Sequence, residues 1–446
     1  MRSQKVFASS ALLVVGSAIC ASCIEGRLGG DGPVVIGEKP SSGNDEDSGV
    51  TPPEAVDPKG ACSQSEVRRI RRPLVASRPE AGSFDYAFRL SPGTDPTSPV
   101  IVKIPGGPGS GSIDTERASS VYSPELTFLF TDPRGVGCNE IDGEVPNAEL
   151  YSTVAFAEDI LAALKDIGAT SWAIYGTSYG TVLGTVTASL ATSYGLPAPR
   201  AVVLEGVLAK PFLGQTESQG QKAEWDYVWN ALPQASRALL LQDEPLGFDA
   251  AIWGTAINQL LSIGGTAATN SITIDLLTAL ADPALQAQVA PTVMQLGTTV
   301  ALEPGPKKTL FENVACRELA DVSFFDYSLA QGVYEPKTAV CEDIDLSHPY
   351  DVSAWPIRES PIFYFQGAHD PNTPLQQAKE HVSAQPETTR YFLEFAHGGH
   401  NPLQLSLPSS CVLGLWQTML NAPGGLQAAI DACKLPNEIT LTVTQP

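Results

Sequence analysis

Few side chains in this protein titrate near neutral pH. Five of its 446 residues are histidine: His348, His369, His381, His397 and His400. Basic residues are also scarce, 27 lysines and arginines against 49 aspartates and glutamates, for a formal net charge of −22. A surface that neutralises rows of phosphates needs the opposite balance, so nucleic acid is excluded as a main partner. An acidic surface tolerates cationic ligands without requiring them. The apolar run 6–19 is too short to span a bilayer. No G-K-[ST] occurs, and no G-x-G-x-x-G opens a helix, which removes the common phosphate cradles. No C-x-x-C pair comes with partner histidines, so zinc is not expected, and neither is an organic cofactor.

What remains is ample for a core: 43% of residues are hydrophobic and only 17% charged. The length allows one large domain with an insertion, or two or three domains. Residues 1–23 read as an export signal, with Arg2 and Lys5 ahead of the apolar run. Ala21-Ser22-Cys23 is similar to the end of a bacterial lipobox, with Cys23 as the lipidated residue, although Cys20 stands where leucine is usual. Plain secretion is the alternative; either way the chain is expected to be exported, touching a membrane only through that anchor. Residues 24–60, rich in Gly, Pro, Ser, Asp and Glu, read as a disordered tether. Six cysteines follow, an even set in an exported chain. The expected disulfides are Cys62–Cys138, Cys316–Cys341 and Cys411–Cys433. Arg68, Arg69, Arg71 and Arg72 form a basic run that reads as a solvated loop or strand edge.

The chain is organised around Trp172 to Gly184, WAIYGTSYGTVLG. An apolar β-like run meets a helical pattern, and between them lies Gly176-Thr177-Ser178-Tyr179-Gly180. That matches G-x-S-x-G, in which a sharp strand-to-helix turn presents a serine at the top of a sheet. Strand character recurs at 83–90, 100–104, 126–131, 201–204, 361–365 and 390–395, with a helix at 151–167 and a short edge strand at 439–443. Strands alternating with helices imply a mostly parallel sheet covered on both faces. Residues 206 to about 356 interrupt the alternation with helical periodicity. The glycine-rich loop 105–111, PGGPGSG, follows a strand and reads as an oxyanion loop, its amides near Gly106 or Gly107 joining that of Tyr179, with Gly107 taken as the donor.

P-G-G-P-G at 105–109, D-P-R-G-V-G at 132–137, Y-G-T-S-Y-G-T at 175–181 and L-E-G-V at 204–207 come in the order seen in the α/β-hydrolase peptidases. The chain resembles the tripeptidyl aminopeptidase branch of the prolyl aminopeptidase family, with Pro105 where prolyl aminopeptidases proper usually carry histidine. The resemblance covers about residues 82–433. It implies an α/β-hydrolase core over 61–206 and 357–446, with a helical cap at 207–356 over the active-site mouth. Two departures stand out: Cys138 sits at a usually variable position, and Glu205 replaces the usual aspartate. Neither is expected to touch the chemistry. Glu224, in Glu224-Trp225-Asp226-Tyr227, resembles the cap glutamate that binds a substrate's free α-amine; a solvated helix-face acid is the other reading.

The segment 367–374, GAHDPNTP, matches the family's G-x-x-D-x-x-T-P, making Asp370 the acid, with Thr373 capping the next helix and Pro374 at its first position. In the hydrolase order Ser, acid, His, the candidates are His381, His397 and His400. His381 falls in a helix and reads as a surface residue. His400 follows a glycine late in the loop after a strand and is favoured over His397. The expected reaction is acyl transfer: Ser178 as nucleophile, His400 as base, Asp370 bracing it, and peptides with a free N-terminus as substrate. A carboxylesterase or lipase, and a non-catalytic surface lipoprotein, are the alternatives.

Overall fold

The structure, a computed structural model, describes residues 62–114, 121–141, 150–212, 215–242, 245–247, 250–265, 271–298, 310, 313–321, 348–433 and 438–446. The expected signal, Cys23, the tether and Cys341 lie outside them.

Nine strands form one sheet: β1 (Val67–Pro73), β2 (Ser83–Ser91), β3 (Val100–Ile104), β4 (Thr127–Thr131), β5 (Trp172–Thr177), β6 (Val202–Glu205), β7 (Ile362–Gly367), β8 (Arg390–Phe395) and β9 (Ile439–Thr444). Their order is β1-β2-β4-β3-β5-β6-β7-β8-β9. The pairs β4–β3–β5–β6–β7–β8 are all parallel, while β1, β2 and β9 join antiparallel at the two edges. Buried on both faces, the central strands need no polar alternation, which is why WAIYGT, VVLE and IFYFQG read as near-continuous apolar runs.

Alternate side chains of each strand enter different cores. On one face Ile174 and Val202 pack with helix α1 (Thr153–Asp166) and helix α2 (Tyr179–Leu190) through Phe156, Ile160, Val182 and Val186. On the other, Tyr175, Val203 and Phe365 pack with Val412, Trp416 and Ile430 of the C-terminal helices. The Arg68–Arg72 run is an edge strand: Arg71 pairs with Asp85 at 3.1 Å, and Arg72 reaches the buried Asp159 at 2.7 Å.

Between β6 and β7 the described residues hold α3 (Gln215–Ala231), α4 (Gln234–Leu240), α5 (Ala250–Ile263), α6 (Ile272–Leu280) and α7 (Gln286–Thr298). They surround a third apolar cluster built on Trp225, Trp253, Leu260 and Leu276. After β7 come α8 (Leu375–Ala384), α9 (Pro402–Leu405), α10 (Ser409–Asn421) and α11 (Leu426–Ala432).

Disulfides Cys62–Cys138 and Cys411–Cys433 are present as expected. Cys316 is also disulfide-bonded. The first bridge explains the unusual cysteine at 138: it ties the chain ahead of β1 to the turn after β4. Among the described residues, no helix is long and apolar enough to cross a membrane.

Candidate active site

Ser178 sits between β5 and α2 with φ 54° and ψ −124°. A side chain in the left-handed region is strained, and the surrounding structure must hold it there. Glycine makes the turn feasible: a Cβ at Gly176 would overlap the carbonyl of Gly180, and one at Gly180 would overlap that of Ile104. The Ser178 amide donates to the Glu205 carbonyl on β6 at 2.8 Å, and the Ser178 carbonyl accepts from Thr181 at 2.8 Å, starting α2.

The loop after β3 lies against this elbow. A Cβ on Gly106 would stand 3.0 Å from Ser178 Cβ, so only a glycine lets the loop come so close without displacement. Gly107 follows with φ 109°, and Tyr179 is buried at the first turn of α2. The D-P-R-G-V-G segment holds the loop's far end. Buried Asp132 accepts from the Ser112, Ile113 and Cys138 amides at 2.6, 3.0 and 3.0 Å. Burial pushes the Asp132 carboxyl up, and these amides oppose that by favouring its charged form. Arg134 in the same segment is fully buried and pairs with Asp159 of α1. The two motifs therefore form one buried assembly that fixes the loop's geometry.

Asp370 follows β7 and is held by its own turn. Its Oδ1 accepts from the Asn372 and Thr373 amides, both at 2.9 Å. Its Oδ2 accepts from Thr373 Oγ1 at 2.6 Å and Gln366 Nε2 at 3.1 Å. His400 Nδ1 lies 3.1 and 3.0 Å from the two oxygens. The His400 amide donates to the Ser262 carbonyl of α5 at 2.8 Å, tying the histidine loop to the helical segment. Ser178 and His400 flank the same short turn at the end of β6. Glu205 accepts the serine amide, and a Cβ on Gly206 would come within 2.9 Å of His400 Cε1.

Several expectations are corrected. Thr373 does not cap α8: the N-cap is Pro374, with no side-chain cap bond, because the Thr373 hydroxyl is spent on Asp370. Thr373 Oγ1 also lies 3.2 Å from His400 Nδ1, a role hidden in the T-P of the motif. His381 is not at the surface. It is fully buried, its Nε2 3.0 Å from Thr185 Oγ1 and its Nδ1 3.0 Å from Tyr364 Oη. Burial pushes its imidazole down to about 3. The turn that aims α8 at the sheet puts His381 on the inner face. His397 is only half-buried, and its carbonyl accepts from Gly265.

Glu224 of α3 is no solvated acid. It is buried, and its Oε2 lies 2.9 Å from Nδ1 of His369, the residue before Asp370. The bond to Glu224 raises the His369 imidazole above its ordinary value, against the effect of burial. Tyr227, one turn on, lies with its ring 4.7 Å from that of His369. The described residues contain no group of acidic, histidine or cysteine side chains arranged to hold a metal.

Residues 99–242 match the model of the alpha/beta hydrolase fold family. With its mixed, mostly parallel nine-stranded sheet and flanking helices, the chain has the α/β-hydrolase fold. Solved structures similar to it include a proline iminopeptidase from Mycobacterium smegmatis, 14% identical, covering 82% of this chain and 100% of that one, with a TM-score of 0.44. An alpha/beta fold family hydrolase from Bacillus anthracis is 15% identical, covering 76% and 94%, with a TM-score of 0.41. A thermophilic esterase from Thermogutta terrifontis is 12% identical, covering 82% and 98%, with a TM-score of 0.38. No curated protein matches the chain.

Proposed function

We propose that this α/β-hydrolase-fold chain is an exported serine hydrolase, an aminopeptidase that releases one or a few residues from peptide N-termini. The observation that carries the chemistry is the contact of His400 Nδ1 with Asp370, whose two oxygens are both hydrogen-bonded, in a chain whose elbow serine has φ 54°. In this reading Asp370 fixes the imidazole with its proton on Nδ1, which makes Nε2 the basic nitrogen. Ser178 Oγ gives up that proton as it attacks the scissile carbonyl, and the Gly107 and Tyr179 amides hold the oxyanion. His400 then protonates the leaving amine, and water releases the acyl group. The helices between β6 and β7 act as the cap. The quoted motifs support the peptidase branch, and the disulfides with the apolar, basic-led N-terminus support export, through Cys23 if lipidated.

A carboxylesterase is the second reading. It is favoured by one observation: the carboxylate expected to receive a substrate ammonium, Glu224, already has His369 as partner. Hydrolysis of an aminoacyl-anilide, its N-acetylated twin and a simple ester separates the two. The peptidase is expected to lose activity on N-acetylation; preference for the ester with indifference to the amine would establish the esterase. A fluorophosphonate should label Ser178 stoichiometrically, and Ser178→Ala should abolish the labelling. An unlabelled wild-type protein would leave the non-catalytic lipoprotein standing.

A further inference from the structure

The side chain of the last residue of β6 has no part in the roles above. Glu205 is fully buried, and its backbone carbonyl accepts the Ser178 amide. Its side chain reaches two other parts of the site. Oε2 accepts from the Tyr175 hydroxyl at 2.5 Å, three residues before Ser178. Oε1 accepts from the Leu403 amide at 2.7 Å, three residues after His400. Gln404 Nε2 donates to the same tyrosine hydroxyl at 3.2 Å, which closes the connection. The next residue, Gly206, takes φ +62° and packs directly on the His400 ring.

A buried carboxylate is costly, and a neutral side chain could fill this space without that cost. Here both oxygens accept hydrogen bonds, which favours the ionised form, although burial raises the carboxyl above its ordinary range. The charged and titratable groups facing Glu205 are Lys103 from β3, Tyr175 from β5 and His400 from the loop after β8. Lys103 Nζ sits 4.3 Å from the centroid of the Tyr175 ring and donates to Thr177 Oγ1 at 3.1 Å. Around His400 itself, the facing charges include Asp370 and Glu205.

We propose that Glu205 is a positioning residue for the reaction: it fastens the loop carrying His400 to the strand carrying Ser178, and it holds a second negative charge beneath the imidazole. That charge stabilises the imidazolium formed when His400 takes the serine proton, while Asp370 does so from the Nδ1 side. The replacement of the usual aspartate by glutamate is then functional, because the longer side chain reaches the Leu403 amide. The proposal rests on the serine-hydrolase reading but not on the identity of the acyl substrate.

The test is the pH dependence of fluorophosphonate labelling at Ser178 in the full chain. In the wild type the rate should rise with pH along an acid limb, as the imidazolium of His400 gives way to the neutral base. Glu205→Gln keeps the size and loses the charge. Its acid limb should move to lower pH by about one unit, and its plateau should fall about tenfold. Glu205→Asp keeps the charge and shortens the reach, so its plateau should fall while its limb stays in place. If Glu205→Gln does not fold, Tyr175→Phe reads the same field. It strips the carboxylate of the hydroxyl donor that offsets its charge, so the field at His400 changes and the limb should move from its wild-type position. A merely structural glutamate would lower the plateau without moving the limb, and an unmoved limb in the folded variant overturns the proposal. Failure of the wild type to label at Ser178 would overturn the hydrolase reading and this proposal with it; labelling with an unmoved limb overturns this proposal alone.

Discussion

The site depends on residues whose value lies in what they leave out. Gly206 is one: its φ of +62° disfavours any L side chain, and a Cβ there would press on the His400 ring. Gly206→Ala should keep the fold, by circular dichroism, yet slow fluorophosphonate labelling about a hundredfold, the scale of a displaced catalytic group. His381 shows the opposite economy, a titratable group kept neutral. The unfolded chain takes up a proton at this imidazole below about pH 6.5, whereas the buried ring refuses it until about 3. Its contribution to stability is therefore complete above pH 6.5 and declines as acid is added, by about 1.4 kcal/mol per pH unit at the steepest. Urea midpoints measured between pH 7 and 4 should fall, and His381→Gln should flatten that decline.

At the scale of elements, what was legible in the sequence follows burial. VIVKI and RYFLEF read as strands at the bounds the structure gives, because central strands are apolar throughout. VRRIRRP read only as a loop or a strand edge, since an edge strand exposes its arginines and its regularity comes from pairing with β2. G-x-S-x-G and G-x-x-D-x-x-T-P located the elbow and the Asp370 turn because both are local in the chain. The roles of Thr373, His381 and Glu205 were hidden because each depends on a partner brought in from elsewhere in the fold, such as Leu403 for Glu205. The bridges are also elements. Cys62–Cys138 spans 76 residues and Cys411–Cys433 spans 22. A chain-entropy argument makes the longer closure worth about one kcal/mol more. Removing Cys62 and Cys138 together should lower the thermal midpoint further than removing Cys411 and Cys433.

For the whole molecule, the governing quantity is charge. A chain with a formal excess of 22 negative charges repels itself when it is compact. Raising ionic strength from about 0.01 M to about 0.15 M shortens the screening length from about 30 Å to about 8 Å. The thermal midpoint at pH 7 should therefore rise, and a falling or constant midpoint would show that local ion pairs outweigh the global repulsion.

The helical segment leaves the sheet after β6 and returns at β7, and these strands are hydrogen-bonded neighbours, Glu205 beside Phe365. Because the strands are parallel, its two ends sit at opposite ends of adjacent strands, about 11 Å apart, and the sheet fixes both. An insertion between two fixed points costs little more to close when it is lengthened. That segment can be enlarged, trimmed or exchanged between descendants without disturbing strand register. Selectivity could then drift across generations while the hydroxyl, the imidazole and their carboxylates stay where they are.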